Sequence, residues 1–342
     1  MRAALELHRD ADLTALNTFG VAARARLLAQ AHTREALVEA LDLAEREGLR
    51  VELLGGGSNV LIAGDLDAMV LLPQLRGVEW LSEDGQSLPV RAAAGENWHA
   101  FVVCTLAHGA FGLENLALIP GNVGAAPIQN IGAYGVELQR FVAAVEAWDR
   151  DVRAFVRLDP TECGFSYRDS RFKREPGRFV IVAVEFALRM APMLELGYAG
   201  IREELASGGV GQPTPHDVFR AVCAIRRRKL PDPAVLGNAG SFFKNPVVPS
   251  AQALALKSIW PSMPSYPAAS GMTKLAAGWL IEQCGWKGRR IGSAGVHAEH
   301  ALVLVNHGGA SGAELLALAD AIRADVRARF GVELEMEPRV LR

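Results

Sequence analysis

Apolar residues recur at helical spacing in several stretches, each bounded by residues that start or stop helices. Thr33 precedes Leu37, Leu41 and Ala44, with Gly48 beyond them, so the spacing predicts a helix capped by Thr33. Thr214, Pro215 and Asp217 open a second, which carries Val218, Val222 and Ile225 and stops at Pro231. Residues 274–284 read as a third, ended by Gly285. Ser311 and Glu314 form a capping box ahead of Leu315, Leu318, Ile322, Val326 and Phe330, with Gly331 closing the helix. Between these lie β-rich runs at 51–54, 60–62 and 69–72, the long FVIVAVEFAL at 179–188, and ALVLV at 301–305. Near the C-terminus Val332, Leu334 and Met336 alternate with Glu333, Glu335 and Glu337, which predicts a strand with one apolar and one acidic face. Helices and strands mix without strict alternation, so the expected class is α+β or mixed α/β rather than a regular doubly wound sheet. The stretch SGGVGQPTP at 207–215 reads as a linker.

Composition narrows the function classes. The chain has 342 residues, half of them hydrophobic, enough for two or three domains. Lys+Arg number 36 and Asp+Glu 38, a balance that argues against broad electrostatic binding to nucleic acid or an anionic membrane. Cys104, Cys163, Cys223 and Cys284 are isolated, with no CxxC pair, and are expected to be buried thiols in a reducing cytosol. The opening MRAALELHRDAD is charged where a signal peptide needs an apolar core. No run of about 18 apolar residues appears. A soluble cytoplasmic protein is expected.

Several segments could carry chemistry. In LLGGGSNVLI, residues 53–62, three consecutive glycines between apolar strands suit a pyrophosphate or a tight strand–strand turn, and the residues alone leave both open. Neither a Walker A loop nor a GxGxxG fingerprint is present. Residues 114–138, ENLALIPGNVGAAPIQNIGAYGVEL, carry no charge between Glu114 and Glu137. That suits a cofactor, whose polar edges would meet the amides of Asn115, Asn122, Gln129 and Asn130, or a buried loop between domains. Arg168, Arg171, Lys173 and Arg174 cluster in GFSYRDSRFKR, where arginine forks can hold carboxylate or phosphate. Arg226, Arg227, Arg228 and Lys229 end a helix, where cations also suit the macrodipole. Ser241 lacks the GxSxG context of a hydrolase nucleophile and reads locally as a turn residue. HAEH at 297–300 is not HExxH, so no metal is expected.

The order of the segments is more specific than any one of them. NTFG at 17–20, GGGSNVL at 55–61, GENWH at 95–99, the 116–138 stretch, YRDSRFK, KLPDP at 229–233, NAGSFFKNP and KLAAGWLIEQCG follow one another. Together they resemble the UDP-N-acetylenolpyruvoylglucosamine reductase (MurB) family of peptidoglycan synthesis, over residues 17–341. The resemblance implies an α+β chain with a two-lobed FAD-binding region of the vanillyl-alcohol-oxidase type, at 1–72 and 73–212, and a substrate-binding domain at 213–342. It implies non-covalent FAD, NADPH as reductant, and reduction of the enolpyruvyl group of the UDP-sugar to UDP-N-acetylmuramate. Partners are then small molecules, with neither nucleic acid nor membrane, and a monomer is the starting expectation.

By match to the family motifs, Arg168 stabilises the charge that builds on the substrate carboxylate and Ser241 is the proton donor. Glu337, chosen over Glu335 by aligning Leu334 and Arg339, orients that carboxylate. Leu54, Gly55, Gly56, Gly57, Ser58 and Asn59 match one FAD loop. Pro120, Gly121, Gly124, Ile128, Gly132, Ala133, Tyr134 and Gly135 match the other. Tyr167, Tyr198, Lys229 and Asn245 match substrate-binding positions, Tyr198 being the covering tyrosine of the family's longer subgroup. Ala125 and Ala126 replace residues often seen as serine, which removes hydroxyl contacts there. Two competing readings remain: an oxidase of the same fold, which would commonly tether its flavin through His or Cys, absent from both Gly-rich loops, and a nucleotide-sugar binding protein without redox activity.

Overall fold

Thr33 starts its helix as predicted: the Ala36 N–H donates to the Thr33 side chain at 3.1 Å, and the helix runs Arg34–Arg46. The structure is a computed structural model that describes residues 4–82, 85 and 87–342. Two compact units emerge, one built from residues up to Ala11 with 25–56 and 67–228, the other from 12–24, 57–66 and 229–342.

The first unit carries two sheets. A four-stranded sheet has the order Leu5–Asp12, Arg24–Ala31, Leu66–Pro73, Arg50–Leu53, the last pair parallel. Helix Arg34–Arg46 packs Leu37, Ala40, Leu41 and Ala44 against Leu27, Ala29, Met69 and Leu71. An antiparallel five-stranded sheet has the order Ala154–Leu158, Val142–Asp149, Phe179–Arg189, Ser87–Ala93, Val78–Trp80. Its core joins Val90, Val145 and Phe186 to Trp98 and Phe101 of helix Trp98–Ala107.

The first half of strand Phe179–Arg189, residues 179–184, is an unbroken apolar run that the packing explains. Val180 and Val182 enter the first core, while Phe179 and Ile181 enter the second. Opposite Glu146 and Ala147 the register skips Val182, and beyond this bulge Val184, Phe186 and Leu188 take over the second core. A strand buried on both faces shows no polar alternation.

The 207–215 stretch is not a linker between domains. It joins helices Ala199–Ser207 and Pro215–Lys229, whose Ile201, Leu205, Val218 and Val222 share one core. At the start of the second helix Asp217 accepts the Thr214 hydroxyl and N–H, which holds its carboxyl down at about 2. A lowered folded-state pKa contributes stability above the unfolded value and loses it as pH falls. Asp217→Asn is therefore expected to melt below the parent at neutral pH, with the gap closing from about pH 4 to about pH 2. A gap constant across that window contradicts the linkage.

In the second unit a sheet ordered Gly237–Ser241, Val303–Asn306, Ala294–Val296, Arg290–Ile291 contributes Leu304 and Val296 to a core shared with helices Ala277–Gln283 and Gly312–Phe330. The predicted capping box of Ser311 and Glu314 is formed. Residues 274–284 are only partly helical. Met272–Leu275 is the central strand of a three-stranded sheet, paired with Val247–Pro249 and Ser265–Pro267, so strand pairing overrides the local helical pattern until Ala277. The alternation at 332–337 appears as burial of Val332 and Leu334, yet only Met336 makes a bridge, to Phe243, and no strand forms there. The strand proper is Arg339–Leu341, parallel to Val60–Ile62.

All four cysteines are free thiols, but only Cys163 and Cys223 are buried. Burial pushes the Cys163 thiol up to about 12, which makes it unreactive. Among the described residues no helix is long and apolar enough to cross a membrane, and no group of three His, Cys, Asp or Glu is placed to hold a metal.

Candidate active site

The candidate residues fall into two groups, one in each unit. In the first unit Leu54 is buried, and its N–H donates to Leu71 O at 3.0 Å, so the chain leaves its sheet at Gly55. The loop that follows is no hairpin turn. Strand Arg50–Leu53 pairs with Leu66–Pro73, whereas Val60–Ile62 pairs with Arg339–Leu341.

The two Gly-rich segments touch. A Cβ on Gly56 would lie 2.9 Å from Gly121 Cα, and one on Gly55 would meet Ala125 Cβ at 3.6 Å. Gly124 is pressed on Ala94, where a Cβ would lie at 2.5 Å, and the Gly124 N–H donates to Ala94 O at 2.9 Å. Gly121 has φ 115°, a conformation that L side chains rarely adopt. Gly56 meets the backbone of Gly121 with no room for a Cβ, a close glycine approach that suits a loop holding a pyrophosphate. The residues present therefore fit an FAD.

Further along, Gly132–Ala133 and Val136–Glu137 form a hairpin. Its tip residues, Tyr134 and Gly135, have φ 50° and 85°, as in a type I′ turn. The ring of Tyr134 meets that of Tyr198 edge-on at 5.0 Å. Burial raises the Tyr134 hydroxyl pKa, while Arg226 donates a hydrogen bond to it. Tyr198 stands exposed before helix Ala199–Ser207.

Tyr167 and Arg168 form the tip of another hairpin. Ser166 and Asp169 exchange backbone hydrogen bonds of 3.0 and 3.2 Å. Arg168 has φ 54°, the left-handed region, and its Nη2 donates to Gly132 O at 2.7 Å. The Arg168 guanidinium lies 5.7 Å from the Tyr167 ring centroid. Ile128 is exposed, and its carbonyl accepts the Ser170 hydroxyl at 2.6 Å.

In the second unit Gly57 has φ 62°, and a Cβ there would lie 1.9 Å from Leu16 O. The Gly57 carbonyl accepts the Thr18 N–H at 3.0 Å. Asn17 shapes this turn: its amide donates to the carbonyls of Leu13 and Val21, and its Oδ1 accepts the Val21 N–H. Asn59 and Arg339 N–H are joined at 3.1 Å, and the Asn59 amide donates to Glu337 O at 3.4 Å.

Ser241 ends strand Gly237–Ser241, opposite Val303. The next residues run beside the C-terminal segment: Glu337 N–H donates to Phe242 O at 2.9 Å, and Lys244 N–H to Glu335 O. Glu337, Asn59 and the residue after Ser241 thus meet at one junction. Glu335 is ion-paired with Lys244 and its side chain is largely exposed. Lys229 is exposed at the end of its helix. Asn245 accepts the Ala277 N–H at 3.0 Å at the start of helix Ala277–Gln283.

Two amides expected to face a cofactor are committed to the protein. Asn115, 1% exposed, donates to the carbonyls of Tyr134 and Glu195, both at 2.9 Å. Asn130 is fully buried and bonds Ser166 O, Glu137 and Gln139 N–H. Their sequence signal was an uncharged stretch, which does not tell a ligand from a distant piece of chain. Arg226 was read as one of a run of helix-ending cations. It instead donates to Leu118 O at 3.2 Å besides Tyr134.

Comparison with known proteins fits this geometry. Residues 25–154 match a FAD binding domain. Residues 232–341 match the C-terminal domain of UDP-N-acetylenolpyruvoylglucosamine reductase. The chain is 53% identical over 334 residues to the UDP-N-acetylenolpyruvoylglucosamine reductase of Pseudomonas fluorescens, covering 98% of each protein. To that of Xanthomonas euvesicatoria it is 56% identical, covering 98% of this chain and 96% of the relative. The crystal structure of the Thermus caldophilus enzyme superimposes with a TM-score of 0.67 at 25% identity, over 99% of both chains. The α+β class and the vanillyl-alcohol-oxidase type of FAD-binding region stand.

Proposed function

The chain belongs to the UDP-N-acetylenolpyruvoylglucosamine reductase family and is an FAD-dependent oxidoreductase of peptidoglycan precursor synthesis, and on that premise we propose how its own residues divide the work. When bound, FAD supplies the hydride carrier between NADPH and the enolpyruvyl double bond. Leu54 to Asn59 hold it from one loop, and Pro120, Gly121, Gly124, Ile128 and the hairpin 132–135 hold it from the other. Helix Pro215–Lys229 belongs to the core of the first unit, so the substrate-binding part of this reading begins at Lys229 rather than at residue 213.

Hydride addition leaves negative charge spreading into the substrate carboxylate. Arg168, a permanent cation on a hairpin tip, stabilises that charge as it grows. The carbon beside the carboxylate then needs a proton. The Ser241 hydroxyl gives it, since an enolate-type carbon is basic enough to take a proton from so weak an acid. Glu337 orients the reacting carboxylate. The observation that carries this reading is the Glu337–Phe242 backbone bond, which seats Glu337 next to the Ser241 strand end. The Lys244–Glu335 ion pair supports the choice of Glu337 over Glu335. Tyr167 and Tyr198 contact the substrate, with Tyr198 covering it, and Lys229 and Asn245 hold its diphosphate. The protein works on small molecules in the cytoplasm, as a monomer.

Gly56→Ala tests the cofactor loops. With the new methyl 2.9 Å from Gly121 Cα, the two segments must part. FAD release on dilution, read by flavin fluorescence, is expected to show at least about a tenfold weaker affinity, as a displacement of this size in a close-packed site costs. An unchanged affinity removes these segments from the FAD site.

A further inference from the structure

We propose that Asn130 is a positioning residue for Arg168, a step that rests on the reading of Arg168 above. The hairpin that carries Arg168 is fastened to alternate positions of one short stretch. Ser170 Oγ donates to Ile128 O at 2.6 Å, Asn130 Nδ2 donates to Ser166 O at 3.1 Å, and Arg168 Nη2 donates to Gly132 O at 2.7 Å. Both the root of the hairpin and the head of the arginine are thus fixed to residues 128–132.

Like Ser170, Asn130, the middle fastening of the three, is a buried side chain. Its relative exposure is 0%. Both hydrogens and the oxygen of its amide have partners: the second Nδ2 hydrogen goes to Glu137 Oε2 at 3.1 Å, and Oδ1 accepts the Gln139 N–H at 3.0 Å. Aspartate has the same shape but would turn acceptors toward the Glu137 carboxylate and the Ser166 carbonyl. Asn130 also has φ 43°, which asparagine tolerates better than most residues.

The hairpin needs such a hold. Arg168 occupies the left-handed region at φ 54° between the two backbone bonds of Ser166 and Asp169. A residue in that region persists only when its surroundings over-determine it. Without the Asn130 amide the Ser166 carbonyl loses its buried donor, and the turn is free to relax. The guanidinium then moves away from the place where substrate charge develops.

The test is a double-mutant cycle of Asn130→Gly and Arg168→Met in the FAD-loaded protein. Glycine tolerates the left-handed backbone and removes the side chain that carries the amide. The readouts are the rate at which UDP-N-acetylenolpyruvoylglucosamine reoxidises the reduced flavin, and hydrogen exchange of the Ser166 and Asp169 amides. N130G is expected to slow reoxidation by roughly ten- to a hundredfold, the cost of about an ångström of misplacement, and to speed exchange at both amides. In the R168M background N130G is expected to slow it no further, because the lost interaction is shared. The same slowing with and without Arg168, or unchanged exchange at the hairpin, overturns the proposal. If R168M itself reoxidises normally, the reading of Arg168 falls, and this inference with it. Asn130→Asp, of unchanged volume, carries the same cycle and the same outcomes where N130G no longer holds FAD.

Discussion

Ser241→Ala is expected to leave NADPH able to bleach the flavin while slowing the return of colour with UDP-N-acetylenolpyruvoylglucosamine by about 10²- to 10⁴-fold, the usual contribution of a positioned general acid. Bleaching does not need a proton at the substrate carbon, so the two half-reactions separate. The substitution is structurally mild. Ser241 is half-buried at a strand end, and its pairing with Val303 uses backbone groups that alanine retains. Its neighbour Phe242 is fully buried and holds the segment in place. A fall in reoxidation can therefore be assigned to the hydroxyl, and a melting temperature near the parent's checks this. Normal reoxidation in S241A removes the serine from proton transfer and leaves water or another side chain as the acid.

Arg168→Met is expected to slow the same half-reaction by about 10²- to 10³-fold, the scale on which removing one preorganised charge-stabilising donor acts. Methionine keeps most of the side-chain volume and pays the same left-handed backbone cost, so the comparison isolates the guanidinium. Arg168→Lys is expected to recover only part of the rate. A lysine keeps the charge but lacks the planar fork that binds Gly132 O and a carboxylate at once. If R168K matches the parent, charge alone suffices and the bidentate account is wrong.

What the sequence revealed followed from how local each signal was. Thr33 and the Ser311–Glu314 box act within one helical turn, and both formed as expected. The helix read over 274–284 began too early because Met272–Leu275 finds strand partners on both sides, a tertiary fact that no window around it contains. The acidic alternation at 332–337 gave the right burial but the wrong element, since only Met336 meets a partner in bridge geometry.

The candidate site divides in the same way. The glycines of both loops were legible, because a Cβ on Gly56 would run into Gly121 and Gly121 has a positive φ that side chains rarely adopt. Whether GGGSN was a hairpin turn could not be read locally, because the partner of Val60–Ile62 is the strand Arg339–Leu341 at the far end of the chain. The buried amides Asn115 and Asn130 escaped for a related reason. Their partners at Glu195 and Ser166 lie in distant segments, and an amide that binds backbone looks in sequence like one that binds a ligand.

The central claim is that this chain passes reducing equivalents from NADPH, through FAD, to an enolpyruvyl sugar. The most direct measurement is the visible spectrum of the purified protein under anaerobic conditions, recorded as NADPH and then UDP-N-acetylenolpyruvoylglucosamine are added. The account predicts flavin bands that bleach with NADPH and return with the sugar. Bands that bleach and stay bleached would contradict the substrate assignment, and a colourless protein that takes up no added FAD would contradict the flavin itself.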